Sequence, residues 1–282
     1  MSNVISDLKK VLIVPIHKEG HKFIAIFGAI AFIFALINAV LGLIGLILTL
    51  WCVYFFRNPE RFTLAAENDI ISPADGVINA IKKNAKTPEE LKLDAKLKWT
   101  KISVFLNVFD VHVNRVPTSG KVMQVKYKEG EFLSANNDAA SERNERSSVV
   151  LKTKNNQQIV FSQVAGLVAR RIFNDLKEGD EVKAGDLYGI IRFGSRTDIY
   201  LPENTEIKTL VGQKMIGGET IIAKLSGKSS ISTFDTKAAT QDPVIKKSVV
   251  EVKKTITDVK TSPVKKATKA IAKKPTTKGK NN

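Results

Sequence analysis

Thirty-four consecutive residues, Phe23 to Phe56, carry no charged side chain. As one straight helix rising about 1.5 Å per residue, the run would be about 50 Å long, far beyond the roughly 30 Å hydrocarbon core of a bilayer. It must therefore tilt, bend or double back. Asn38, Gly42 and Gly45 fall near its middle, and Lys18 and Lys22 on one flank match Arg57 and Arg61 on the other. Basic residues on both sides predict a membrane-embedded segment over 23–56, either one long tilted helix or a helical hairpin with both ends in the cytoplasm. A cleaved signal peptide does not fit, because no small-residue cleavage pattern follows the run. Its length also argues against a buried helix of a soluble core.

The rest of the chain is polar and basic. The net charge is +16 over 282 residues, and residues 241–282 alone hold twelve lysines against Asp242, Glu251 and Asp258, a net of +9. The tail 233–282 is poor in aromatics and rich in Lys, Thr, Ala and Pro, too polar to offset its ordering entropy, and is expected to be disordered. Beside a membrane anchor it would be drawn to anionic headgroups at about 1 kcal/mol per near-surface lysine. Nucleic acid attracts polycations as well but is not the expected partner. Cys52 is the only cysteine, so no disulfide framework forms within the chain.

Between the apolar run and the tail, residues 57–232 read as one mainly β domain. Ile102, Val104 and Leu106 alternate with Ser103 and Phe105. Val149-Val150-Leu151 and Ile159-Val160-Phe161 flank a turn at Asn155-Asn156, and Thr220–Leu225 closes the series. The competing helical signal is the charged stretch Pro88–Lys92. A small barrel or sandwich is predicted. The Gly179-Asp180 and Gly185-Asp186 turns give a rhythm that resembles the hammerhead, or barrel-sandwich, element of biotinyl and lipoyl carrier domains. A membrane-tethered carrier or adaptor without catalysis is thus the rival reading. Against it, the segment after Asp186 leads to Phe193-Gly194-Ser195 rather than to a hairpin lysine, and no long heptad helices are visible.

Five short segments decide between these readings: Phe55-Phe56-Arg57-Asn58-Pro59-Glu60-Arg61, Ser72-Pro73-Ala74-Asp75-Gly76, Asn107 to Pro117 around His112, Ser141-Glu142-Arg143-Asn144-Glu145-Arg146, and Ile190 to Asp198 around Gly194-Ser195. Each alone is weak, since Gly-Ser and Pro-x-Asp-Gly are ordinary turn chemistry. Together and in this order they closely resemble the short bacterial form of phosphatidylserine decarboxylase proenzyme, the pyruvoyl-dependent type A subfamily, from about Pro15 to Leu225.

That resemblance implies a self-cleaving zymogen and a lyase of phospholipid biosynthesis. It would convert phosphatidylserine to phosphatidylethanolamine and carbon dioxide. Decarboxylating an amino acid leaves a carbanion that ordinary side chains cannot delocalise, so an electron sink is required. By resemblance the sink is a covalent pyruvoyl group (pyruvate) made from Ser195 when the Gly194–Ser195 bond breaks, leaving fragments 1–194 and 195–282 as a heterodimer open to further oligomerisation. A serine hydroxyl needs a base and the base an orienting acid. His112, the only histidine outside the N-terminal His17 and His21, and Asp75 are the implied pair, with Asp110 a local competitor for the acid. Longer members carry a second histidine where this chain has Arg115. Arg115, Arg143 and Arg146 are candidates for the lipid phosphate, because arginine forks suit phosphate. No metal is expected. The implied setting is the bacterial cytoplasmic (inner) membrane, with the catalytic domain facing the cytoplasm and lipids as partners.

Overall fold

The apolar run doubles back. In the computed structural model, which describes residues 14–134, 140–166, 171–192 and 195–226, it forms helices α1 (Gly20–Ile37) and α2 (Ala39–Phe55). Gly194 and the tail expected over 233–282 lie outside the described residues. Asn38 makes the break: its backbone is extended, and its side-chain Oδ1 accepts the Val40 N–H at 2.8 Å, capping α2. The helices meet through small residues. A Cβ on Gly42 would lie 2.5 Å from the Ala35 Cβ, and one on Gly45 2.7 Å from the Ala31 Cα, so only glycine permits this backbone approach. At the base, the His17 N–H donates to the Phe56 carbonyl at 2.9 Å and the Asn58 N–H to the Pro15 carbonyl at 2.7 Å. Both ends therefore leave on one side. Helix α1 is long and apolar enough to cross a membrane, and Phe32, Leu36, Ile37, Val40 and Leu50 are exposed along the hairpin, an apolar surface suited to lipid.

The remainder is mainly β, as the alternation predicts. In chain order its strands are β1 (Asp69–Ile71), β2 (Gly76–Ala85), β3 (Trp99–Leu106), β4 (Val113–Arg115), β5 (Gly120–Lys128), β6 (Arg146–Thr153), β7 (Gln158–Val164), β8 (Ile172–Asn174), β9 (Glu181–Val182), β10 (Leu187–Ile191), β11 (Ser195–Pro202), β12 (Glu206–Ile207), β13 (Lys214–Met215) and β14 (Ile221–Lys224). An eight-stranded antiparallel sheet runs β13-β2-β3-β11-β7-β6-β5-β9, beside two three-stranded sheets, β1-β14-β12 and β4-β10-β8. The charged stretch at Pro88 yields only a 3₁₀ turn over Glu89–Leu91, ended by Lys92 in the left-handed region (φ 49°).

Register divides the large sheet into two faces. Ile102, Val104, Val149, Leu151, Phe161, Ile199 and Leu201 point into the main core, which Ile70, Ile222 and Leu225 of the β1–β14 region close from the other side. The opposite face packs Trp99, Val150, Val160 and Tyr200 against Leu91. The two Gly-Asp turns repeat one geometry: the Lys177 N–H donates to Asp180 Oδ2 and the Lys183 N–H to Asp186 Oδ2, each at 2.8 Å. They aim β10 at β11. The hairpin base, through Cys52, Phe55 and Phe56, buries itself against Val111, Val113 and Ile190, so the β4-β10-β8 sheet lies under the helical hairpin.

Candidate active site

Ser195 opens β11, fully buried and opposite Leu106 of β3. From Arg196 onward the strand is also paired to β7, so the chain beyond residue 195 is held by ladders on both sides. Ser195 Oγ is buried and has no hydrogen-bond partner among the described residues. The Ile191 N–H, four residues upstream, donates to the His112 carbonyl at 3.4 Å, which fastens the histidine to the strand leading into Ser195.

His112 is completely buried, its ring centroid 4.0 Å from that of Phe55 at an interplanar angle of 31°. Its Nδ1 lies 2.9 Å from the Asp110 main-chain oxygen. A carbonyl can only accept, so the proton sits on Nδ1 and Nε2 presents its lone pair. Nε2 has no partner. Burial pulls the imidazole pKa down to about 3, with the Asp110 carbonyl opposing the shift and Arg57 adding to it. The ring is therefore neutral throughout the physiological range, in the form a proton acceptor needs.

Asp75 sits at the turn into β2. Arg61 pairs with its Oδ2 at 2.8 Å, and the Gly217 N–H donates to its Oδ1 at 2.7 Å. Burial raises its pKa, and Arg61 and the Gly217 hydrogen bond work against that rise. Its carboxylate makes no hydrogen bond to His112; the imidazole is oriented by the Asp110 main chain instead. Asp110 thus enters through its carbonyl, while its carboxylate accepts the Asn107 N–H at 2.9 Å. Arg61, legible in the sequence only as a flanking charge, proves to be the partner of Asp75.

Three further polar residues were not singled out from the sequence. Gln163 of β7 lies opposite Thr197 of β11 and donates from Nε2 to Asn114 Oδ1 of β4 at 2.9 Å. Gln163 Oε1, Asn114 Nδ2 and Thr197 Oγ1 are buried without hydrogen-bond partners among the described residues. Adjacent polar residues, Ser162 and Gln163, in the otherwise apolar run Ile159-Val160-Phe161-Ser162-Gln163-Val164 were the available signal, but only the register shows which face Gln163 occupies.

The three arginines expected at a phosphate all have partners within the chain. Arg115 donates to the Gly185 carbonyl at 2.9 Å and the Pro59 carbonyl at 3.0 Å. Arg143, exposed, pairs with Glu131 at 2.8 Å. Arg146 is enclosed and pairs with Glu90 at 2.6 Å, which neutralises it inside the protein and gives it a structural role.

A family model described as phosphatidylserine decarboxylase matches residues 48–223, a span that takes in Asp75, His112 and Ser195. The chain belongs to the phosphatidylserine decarboxylase family. Its similarity to individual family members is high. The phosphatidylserine decarboxylase proenzyme of Rickettsia akari is 51% identical over 229 residues, covering 81% of this chain and 96% of that protein. The proenzyme of that name from Rickettsia peacockii is 51% identical over 233 residues, 82% of this chain and 98% of its own length. The match runs through the hammerhead-like region, which therefore belongs to a decarboxylase fold.

Proposed function

We propose that the chain performs its family's reaction, the conversion of phosphatidylserine to phosphatidylethanolamine and carbon dioxide, at the start of β11, after cutting itself between Gly194 and Ser195. The observation that carries this reading is two buried atoms without a hydrogen-bond partner among the described residues, Ser195 Oγ at the head of β11 and Nε2 of His112, whose main chain is bonded to the end of β10. Buried polar atoms are normally satisfied, and exceptions concentrate where chemistry occurs.

In the first step His112 Nε2 takes the Ser195 hydroxyl proton as Oγ bonds to the Gly194 carbonyl carbon. The Gly194–Ser195 C–N bond breaks, leaving an ester and a free amine. Loss of the Ser195 α-proton then expels Gly194 as a carboxylate, and hydrolysis of the resulting dehydroalanine releases ammonia. The ketone so formed is the pyruvoyl group, which supplies the electron sink that decarboxylation needs. The residues present fit it: position 195 is clamped at the head of a doubly paired strand, and Thr197, Gln163 and Asn114 offer polar atoms on neighbouring strands. Asp75 is the supporting acid; with Arg61 and Gly217 as its direct partners, it assists electrostatically rather than through a hydrogen bond to His112.

The topology explains why the fragments stay together. Strand β11 of the C-terminal fragment is inserted between β3 and β7 of the N-terminal one, and β13 and β14 pair with β2 and β1. The hairpin anchors the site at the bilayer surface, where a two-chain lipid is concentrated. Lys18, Lys22, Arg57 and Arg61 at its base favour the cytoplasmic face of the inner membrane. The test is conversion of phosphatidylserine in vesicles by the purified full chain. Product from wild type and none from Ser195→Ala is expected; equal product from both would refute the assignment.

A further inference from the structure

Between the start of α1 and the end of β10 lies a cavity of about 480 Å³ whose wall carries four cations, Lys18, Lys22, Arg171 and Arg192, and one carboxylate, Glu19. Its size falls in the range of about 300–1,000 Å³ usual for small-molecule sites. Arg192 is its best-built element. The guanidinium carbon lies 4.9 Å from the Phe23 ring centroid and 4.5 Å from that of Phe173, and Nε is buried with no hydrogen-bond partner among the described residues. Glu19 approaches Arg192 Nη2 only to 3.4 Å. Asp175, the other nearby carboxylate, pairs with Lys18 at 2.7 Å. Arg171 sits beside Arg192, its carbonyl accepting the Arg192 N–H at 3.5 Å. Positive charge is thus in excess; burial chiefly, and the charge of Arg171 with it, lower the Arg192 pKa, while Glu19 opposes them. Helix α1 begins at the cavity without a side-chain cap, which adds N–H groups favourable to an anion.

Three considerations identify the anion. Lys22 and Phe23 are in the first turn of the helix suited to cross a membrane, so the cavity lies where the hairpin meets the β domain, at headgroup depth. Arg192 stands three residues before Ser195, a distance the chain can span in at most about 10 Å. In a serine phospholipid only four bonds separate the amine from phosphorus, so the phosphate must be held close to residue 195. Arg115, Arg143 and Arg146 meanwhile have intramolecular partners.

We propose that this cavity receives the phosphodiester of the lipid substrate, with the Arg192 fork as the main contact and Arg171, Lys22 and Lys18 around it. The proposal rests on the decarboxylase reading and names its headgroup subsite.

Two measurements test it. In mixed micelles, Arg192→Gln should raise KM for phosphatidylserine by about tenfold to a hundredfold, the worth of a charge-assisted hydrogen bond, with kcat changed far less and Arg192→Lys intermediate. Phosphatidylglycerol, which shares the phosphodiester, should compete in wild type and compete less well in the variant. Separately, uncleaved Ser195→Ala chain should bind vesicles of phosphatidylcholine doped with phosphatidylserine more tightly than the same chain carrying Arg192→Gln. Should Arg192→Gln prevent cleavage, Lys22→Gln and Arg171→Gln provide the same KM comparison. KM values within twofold of wild type in all cleaved variants would overturn the proposal while leaving the decarboxylase reading intact. Inhibition by inorganic phosphate with none by phosphatidylglycerol would make this a free-anion site and overturn the lipid assignment. A wild-type chain that makes no phosphatidylethanolamine would sink the decarboxylase reading, and the vesicle comparison would still decide whether the cavity binds the headgroup.

Discussion

The two faces of β11 hold buried polar residues under opposite rules. On the back face, Ser141 Oγ accepts from Lys101 Nζ at 2.7 Å and from Arg196, and donates to Asp198 Oδ2 at 2.7 Å. Arg196 Nε lies 3.0 Å from Asp198 Oδ1, and farther along the same face Glu90 takes up Arg146 and Ser148. The front face has instead the uncharged Ser195, Thr197, Gln163, Asn114 and the neutral His112, each with a polar atom that has no partner among the described residues; the back face leaves its neutral Ser103 Oγ and Trp99 Nε1 open too, so the faces differ in charge. Charges are too costly to bury alone, so the back face pairs them. Neutral groups can be left open at about 1–3 kcal/mol each, and the front face tolerates that cost beside the bond we propose is broken. One face anchors the strand; the other keeps its donors and acceptors available for chemistry.

If this contrast is right, mutations on the two faces should separate reactivity from stability. The largest effect is expected from His112→Ala, which should slow self-cleavage about 10²- to 10⁴-fold, read by gel as persistence of full-length chain. Cleavage within roughly tenfold of wild type would show that the front face does not supply the base. Next comes Asp198→Asn, which leaves Arg196 and Lys101 facing a neutral amide and should cost about 3–5 kcal/mol in chemical denaturation of the uncleaved Ser195→Ala chain.

Acid should act through the front face. The folded-state pKa of His112 is depressed to about 3 from an ordinary 6.5. Its neutral form therefore contributes stability that is present above pH 6.5 and is lost as pH falls toward 3, about 2 kcal/mol of it by pH 5. In the same uncleaved chain, His112→Gln should flatten that part of the pH profile. The smallest effect pairs the two faces directly: Ser141→Ala should cost about 1–3 kcal/mol, and Thr197→Val, which replaces an unpartnered hydroxyl, less than about 1 kcal/mol. Equal costs would erase the distinction.

The sequence disclosed the parts of this arrangement that are local. An uncharged run too long for one straight span narrowed that segment to a tilted helix or a hairpin, between which the break at Asn38 decides, and the alternation Ile102, Val104, Leu106 announced β3 and its buried face. The motifs around Asp75, His112 and Ser195 were legible by resemblance. What stayed hidden depends on register and on contacts between distant segments. Gln163 and Asn114 read as ordinary strand polar residues until the β7–β11 pairing and their mutual hydrogen bond place them together. Arg146 reads as a free cation because Glu90, its neutralising partner, is 56 residues away. The orienting contact on His112 comes from a main-chain carbonyl, which no side-chain pattern encodes.

The central claim, that the front face of β11 breaks its own chain, is tested most directly by the intact mass of the purified, detergent-solubilised protein beside Ser195→Ala. The account predicts two wild-type fragments divided after Gly194, the C-terminal one blocked to Edman degradation and lighter than its unmodified sequence by one molecule of ammonia, and a single uncleaved chain for the variant. A folded wild-type protein that stays at full-length mass would contradict it.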